Sequence, residues 1–181
     1  MPKLIDTNVM MAASAIHSDL SALVKDASPP DAELREIVYR ELCQFEESDE
    51  ILVLDDEGLI REEYERNMPF NRRMQSQEYG LLVLQKKLDY NQVHWVTIEV
   101  REGNGERLGI IGEDLALIVT DREDHKWIAS ATSHKVLYDE FPPIVYGAES
   151  DWFVIEQQLA ALGFVFSRLL PVEWYQSRHD Q

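Results

Sequence analysis

Four acidic residues lie where their carboxylates could act together. Asp6 follows the apolar run Lys3-Leu4-Ile5 at once in "MPKLIDTNVMMAAS". Asp and Asn are poor strand formers, so the stretch predicts a strand, a turn and a helix. That puts Asp6 just past the carboxyl end of a strand, where open α/β sheets hold their ligands. In "EGLIREEYERNM", Glu63 comes three and four residues after Ile60 and Leu59, on or beside the apolar face of a helix. A carboxylate turned toward a core has to be paired, protonated or bound to metal. Asp124 stands four residues before Ile128 and seven before Ala131, at the head of a buried stripe, with Asp121 as the natural N-cap one turn earlier. Asp151 in "YGAESDW" follows a strand and opens a helix whose Trp152, Ile155, Leu159 and Leu162 share a face.

Each acid also has a plainer role. Asp6, Asp121, Asp124 and Asp151 can serve as helix caps or first-turn dipole partners, and Glu63 can sit exposed at the margin of its stripe. Their joint placement favours chemistry instead. Three lie at strand-to-helix transitions on one edge of a parallel sheet, and the fourth faces inward from an adjacent helix. Carboxylates crowded into one cleft repel unless cations compensate them, and hard oxygen donors select Mg²⁺ or Mn²⁺. A carboxylate cluster holding one or two such ions can activate water and stabilise the departing oxygen of a phosphodiester.

The elements that must position these acids follow from the apolar patterning. "KLI", "ILVLDD", "HWVTIEV", "PPIVYG" and "FVFSRLL" read as strands, the third as a strand or an edge. "SPPDAELREIVYRELCQFEE" starts a helix at Asp31, and Leu34, Ile37, Val38, Leu42 and Phe45 recur at helical spacing. Further helices are predicted over "EGLIREEYERNM", "SQEYGLLVLQKKLDY", "DREDHKWIASATSH" (from Asp121) and "DWFVIEQQLAALG", the last ended by Gly163. "REGNGERLG" reads as the most flexible loop, and "WYQSRHDQ" as a loose tail. Strands separated by helices predict a three-layer α/β/α sandwich around a mostly parallel sheet of about five strands. The expected organisation is one domain over residues 1–171 and a C-terminal tail over 172–181.

"LIDTNVMMAAS", "EDHKWIASA" and "YGAESDWFVI" resemble, in order and spacing, the motifs of PIN-domain ribonucleases across nearly the whole chain. The resemblance is most specific in "IDTN" and in the D-x-x-D-x-x-x-I-A-x-A pattern, and weaker around Glu63. It implies an α/β/α sandwich that cleaves single-stranded RNA with Mg²⁺ or Mn²⁺. Asp6, Glu63, Asp124 and Asp151 would be the catalytic acids, with Asp6, Asp124 and Asp151 on the metal. Asn8 and Ser150 would be supporting polar residues and Asp121 an additional acid. Two departures bear on substrate: "ESDW" stands where many relatives have Thr-x-Asp, and the acidic surface differs from that of small toxin-type members. Toxin-type relatives are often neutralised by an antitoxin. The expected partners are therefore single-stranded RNA and a basic antitoxin or other protein, with a homodimer left open. A PIN-like scaffold that binds a partner without cleaving anything is the competing reading.

Composition narrows the choice. The 181 residues carry 34 acidic and 17 basic side chains, a formal charge of −17, which is far from the basic stripe of most nucleic-acid binders. No apolar run reaches membrane-spanning length, and no signal peptide is recognisable, so a cytoplasmic location without membrane contact is the expectation. The single cysteine, Cys43, lies in a helical pattern with no histidine near it and reads as a spacer. His17, His94, His134 and His179 show no metal spacing. His125 and Lys126 fall off the stripe headed by Asp124 and read as exposed, whereas Trp95, Trp127 and Trp152 read as core. "LVLDDEG" mimics the acidic pair of a two-component receiver, but not after the first strand, and "FVFSRLL" lacks the required Lys. A haloacid-type phosphatase would want Asp-x-Asp where this chain has Asp-x-Asn.

Overall fold

The computed structural model describes residues 1–25, 27–103, 105–148 and 150–179. In chain order the elements are β1 (Pro2–Ile5), α1 (Thr7–His17), α2 (Ala32–Glu47), β2 (Ile51–Asp55), α3 (Leu59–Asn67), α4 (Tyr79–Asp89) and β3 (Val93–Val96). They continue with β4 (Val100–Gly103), β5 (Glu106–Gly109), α5 (Glu113–Ile118), α6 (His125–Tyr138), β6 (Ile144–Tyr146), α7 (Ser150–Ala160), β7 (Phe166–Arg168) and α8 (Val172–His179). A sheet of five parallel strands in the order β3-β2-β1-β6-β7 is flanked by helices, an α/β/α sandwich. No helix among the described residues is long and apolar enough to cross a membrane.

Strands in the middle of such a sheet are covered on both faces, so they are apolar throughout rather than alternating. Leu4, Ile5, Leu52, Val53, Leu54 and Ile144 are accordingly buried. Right-handed crossovers from β1 to β2 and from β2 to β3 place α1, α2 and α4 on one face, and the return from β3 to β6 places α6 on the other. Strand β1 is where the winding reverses: the chain leaves it toward β2 on one side, while β6 and then β7 extend the sheet on the other. The crevice beyond the carboxyl ends of β1 and β6 is thus the switch point at which folds of this kind hold ligands.

Three sequence expectations need correction here. "REGNGERLG" is largely the antiparallel hairpin β4–β5, with Val100 opposite Gly109 and Gly103 opposite Glu106. Gly109 lets this hairpin lie against the start of α6, because a Cβ there would stand 2.9 Å from Lys126 Cα and 3.0 Å from its backbone nitrogen. The expected loose tail is helix through His179: its Tyr175 is fully buried, with the hydroxyl donating to Gly147 O at 2.6 Å. Trp95 is 46 % exposed, because β3 is an edge strand and position 95 points off the sheet face that α6 covers. Trp127 and Trp152 are core.

Candidate functional site

Asp6 ends β1 and caps α1. Its backbone N–H donates to Val145 O of β6 at 2.9 Å, which carries the β1–β6 pairing one residue past the strand. One carboxylate oxygen accepts from Asn8 N–H at 2.8 Å, and the other accepts from the Trp152 indole N–H at 3.1 Å. The capping role and the inward placement therefore coexist: Asp6 is only 4 % exposed. Burial pushes its carboxyl up to about 6, against the two hydrogen bonds that favour the charged form. The neighbouring Glu63 charge raises it further and the Lys126 ammonium lowers it.

Glu63 reaches the same place from α3. The backbone there is fixed by Asp55, whose two oxygens accept from Leu59 and Ile60 N–H at 2.8 Å each and thereby cap the helix. The acidic pair of "LVLDD" is in this way a helix start, with Asp55 wholly buried. Tyr64, the next residue after Glu63, donates its hydroxyl to Ile5 O and ties α3 to the end of β1. Glu63 itself accepts from the Thr7 hydroxyl through one oxygen and pairs with the Lys126 ammonium through the other. Lys126 is 6 % exposed and not the solvated residue expected from its helical position. Its nitrogen also donates to Glu123 O and lies 5.5 Å from the centroid of the Trp127 ring.

The N-cap of α6 is Asp124, three residues later than the expected Asp121. Asp121 caps the preceding turn through Glu123 N–H at 2.9 Å, and Asp124, the N-cap residue, makes no side-chain cap bond. Its side chain lines a cavity of about 210 Å³ together with Asp121, Asp151, Val154 and Ile155. Asp151 lies exposed in the first turn of α7. A second recess of about 270 Å³ is lined by Glu62, Glu63, Arg66, Arg107, Glu123 and Lys126 among others. The acids thus fall beside two different cavities. Asp121, Asp124 and Asp151 share one cavity, Glu63 faces the other recess and holds Thr7 and Lys126, and Asp6 is bonded to Asn8 N–H and to Trp152 next to Asp151. Asn8 contributes its backbone N–H to Asp6. Ser150 heads α7, and its side chain lies outside those described.

Residue types alone missed Thr7, Trp152 as a donor to Asp6, and above all Lys126. The signal for Thr7 was its place between Asp6 and Asn8. Lys126 gives none, because it is buried by the β4–β5 hairpin, which comes from another part of the sequence. Elsewhere, the fully buried His134 bonds His94 across 3.0 Å and Glu140 O across 2.9 Å, a structural pair joining α6 to β3.

Oxygen-only donors of this kind suit hard divalent cations. The arrangement does not. Among the described residues no three Asp, Glu, His or Cys side chains are grouped to hold one ion, and an ammonium already engages Glu63. Comparison with known proteins finds no matching family model, no matching curated protein and no matching solved structure.

Proposed function

We propose that this chain is a PIN-like endoribonuclease that cleaves single-stranded RNA and depends on Mg²⁺ or Mn²⁺. The observation that carries the reading is the placement of Asp6: a buried carboxylate at the switch point of the sheet, with proton affinity raised and a second carboxylate beside it. A carboxylate perturbed by burial and by a neighbouring charge is a mark of functional sites. Asp124 and Asp151 border the neighbouring cavity and supply the remaining acids of the proposed site. A substrate strand would find its cations in Arg66, Arg107 and Lys126, each already paired with glutamate, so binding by this chain alone is weak. The formal charge of −17 makes a basic protein the natural partner, and an antitoxin is the form of it this reading proposes.

One observation favours a second reading, a catalytically silent scaffold: the Lys126–Glu63 pair neutralises the edge without any ion. Incubation of labelled single-stranded RNA with wild type, Asp6→Asn and Asp124→Asn, in Mn²⁺ and in EDTA, separates the two. Cleavage by wild type in Mn²⁺ alone supports the nuclease. Cleavage that persists in EDTA or in both variants refutes this site. Absence of both cleavage and Mn²⁺ binding leaves the scaffold.

A further inference from the structure

We propose that the loop over residues 69–77, with the cavity at its base, holds single-stranded RNA: Arg72 and Arg73 take its phosphates, and Phe70 stacks a base. The inference rests on the reading of RNA as the substrate, and it adds a place, apart from the acids, where the strand is gripped.

The loop is built to one shape. The Asn71 backbone N–H donates to Ser76 O at 3.0 Å, and Ser76 N–H returns a bond to Asn71 O at 3.4 Å. The buried Asn71 side chain donates through its amide nitrogen to Leu20 O at 2.9 Å and to Glu78 Oε1 at 2.8 Å. Its amide oxygen accepts from the Arg73 and Met74 N–H groups at 2.9 and 3.2 Å. Glu78, wholly buried, accepts also from the Ser21 hydroxyl at 2.7 Å and from Ala22 N–H at 3.0 Å. A buried carboxylate is costly unless its oxygens are hydrogen-bonded, and these bonds all go to the loop and to the segment it rests on.

Arg72 and Arg73 stand exposed on this frame. Neither has an ion pair among the described residues, in a chain with 34 acidic and 17 basic side chains. Arg61, Arg66 and Arg107, by contrast, each hold a glutamate. The residues flanking the loop on both sides, Met68, Phe70 and Gln77 among them, line one cavity of about 370 Å³ together with Leu81 and Leu84. Arg61 and Glu65 in the same lining neutralise each other, so the accessible charge at the loop is positive.

A guanidinium offers a planar fork of donors that matches a phosphate, and two on a fixed loop suit neighbouring phosphates. Phe70 is 52 % exposed beside the cavity and presents a face to a base. The Gln77 amide supplies both a donor and an acceptor for a base edge. Cations on the backbone joined to an aromatic platform are the means by which single strands are bound without sequence preference. A duplex keeps its bases inside and would leave Phe70 unused. An acidic peptide would engage the arginines alone.

The test is fluorescence anisotropy with a labelled single-stranded RNA of about 12 nucleotides, in EDTA. It is run at about 0.1 M salt, where exposed charges are screened beyond roughly 10 Å. Wild type is compared with Arg72→Ala/Arg73→Ala, with Phe70→Ala, and with Arg40→Ala/Arg101→Ala, which removes the same charge from exposed positions elsewhere. The loop double variant should bind roughly tenfold more weakly and lower the salt slope by about 1.4, at about 0.7 for each lost phosphate contact. Phe70→Ala should also lose roughly tenfold, and the control pair less than about twofold. Equal losses in the loop and control pairs overturn the proposal. So does an unchanged Phe70→Ala, because charge without stacking suits any polyanion. Binding of poly-glutamate through the same arginines, with RNA unbound, overturns it in favour of an acidic protein partner. RNA held by the loop but not cleaved in Mn²⁺ sinks the nuclease reading and leaves this site standing. Cleavage in Mn²⁺ by loop variants that bind RNA as wild type does has the reverse effect.

Discussion

Replacing Asp6 with Asn should change the pH dependence of stability in a defined direction. Burial lifts the Asp6 carboxyl to about 6 in the folded chain, whereas an unfolded Asp titrates near 3.9. The folded state therefore binds the proton more tightly. Its contribution to stability is complete below about pH 4 and is lost as pH rises through about 6. A shift of about two units corresponds to roughly 3 kcal/mol, so wild type should lose about that much relative to Asp6→Asn between pH 4 and pH 7. Asn can still accept from Asn8 N–H, but its amide would confront the Trp152 indole donor, which offsets part of the gain by about 1–3 kcal/mol at every pH. The quantity to measure is the difference in unfolding free energy between the two proteins, from urea titrations at half-unit pH steps in EDTA. A flat difference across this range, or one in which wild type gains with pH, would refute the claim that burial dominates at Asp6.

His94, held below the usual imidazole range by burial and by His134, should make the fold acid-sensitive. The unfolded chain takes up the proton first as pH falls below about 6.5, so stability drops there, and His94→Gln should show a shallower slope between pH 7 and pH 5 in the same titrations. Gly109→Ala places a Cβ against the Lys126 backbone and should cost about 2 kcal/mol, lowering the melting temperature by about 4–8 °C; an unchanged value would mean that β5 can retreat freely.

What the sequence conveyed, and what it hid, divides along physical lines. β1 and β2 were legible because strands covered on both faces are short unbroken apolar runs, and Asp6 was legible because it interrupts one. The hairpin was not. Its residues are mostly exposed, rich in Gly and charge, and its pairing is closed by antiparallel hydrogen bonds rather than by an apolar face. That one misreading spread to Lys126, whose burial depends on a neighbour from another part of the chain that helical periodicity cannot register. Helix α8 escaped notice because eight residues anchored chiefly by Tyr175 make too short a stripe. The positions of Asp124 and Asp151 at helix starts were readable. That they border a different cavity from Glu63 was not, since it depends on how helices from distant parts of the chain are set against the sheet.

The last helix bears on the acid edge in a way its sequence position conceals. Tyr175 stacks on Phe153 of α7 at 4.9 Å and holds Gly147 O, in the turn between β6 and the helix that carries Asp151. That turn is consequently braced from behind. The bracing comes from a segment that contributes none of the four acids. Peeling α8 away would release the Gly147 carbonyl and uncover Phe153, two residues along α7 from Asp151.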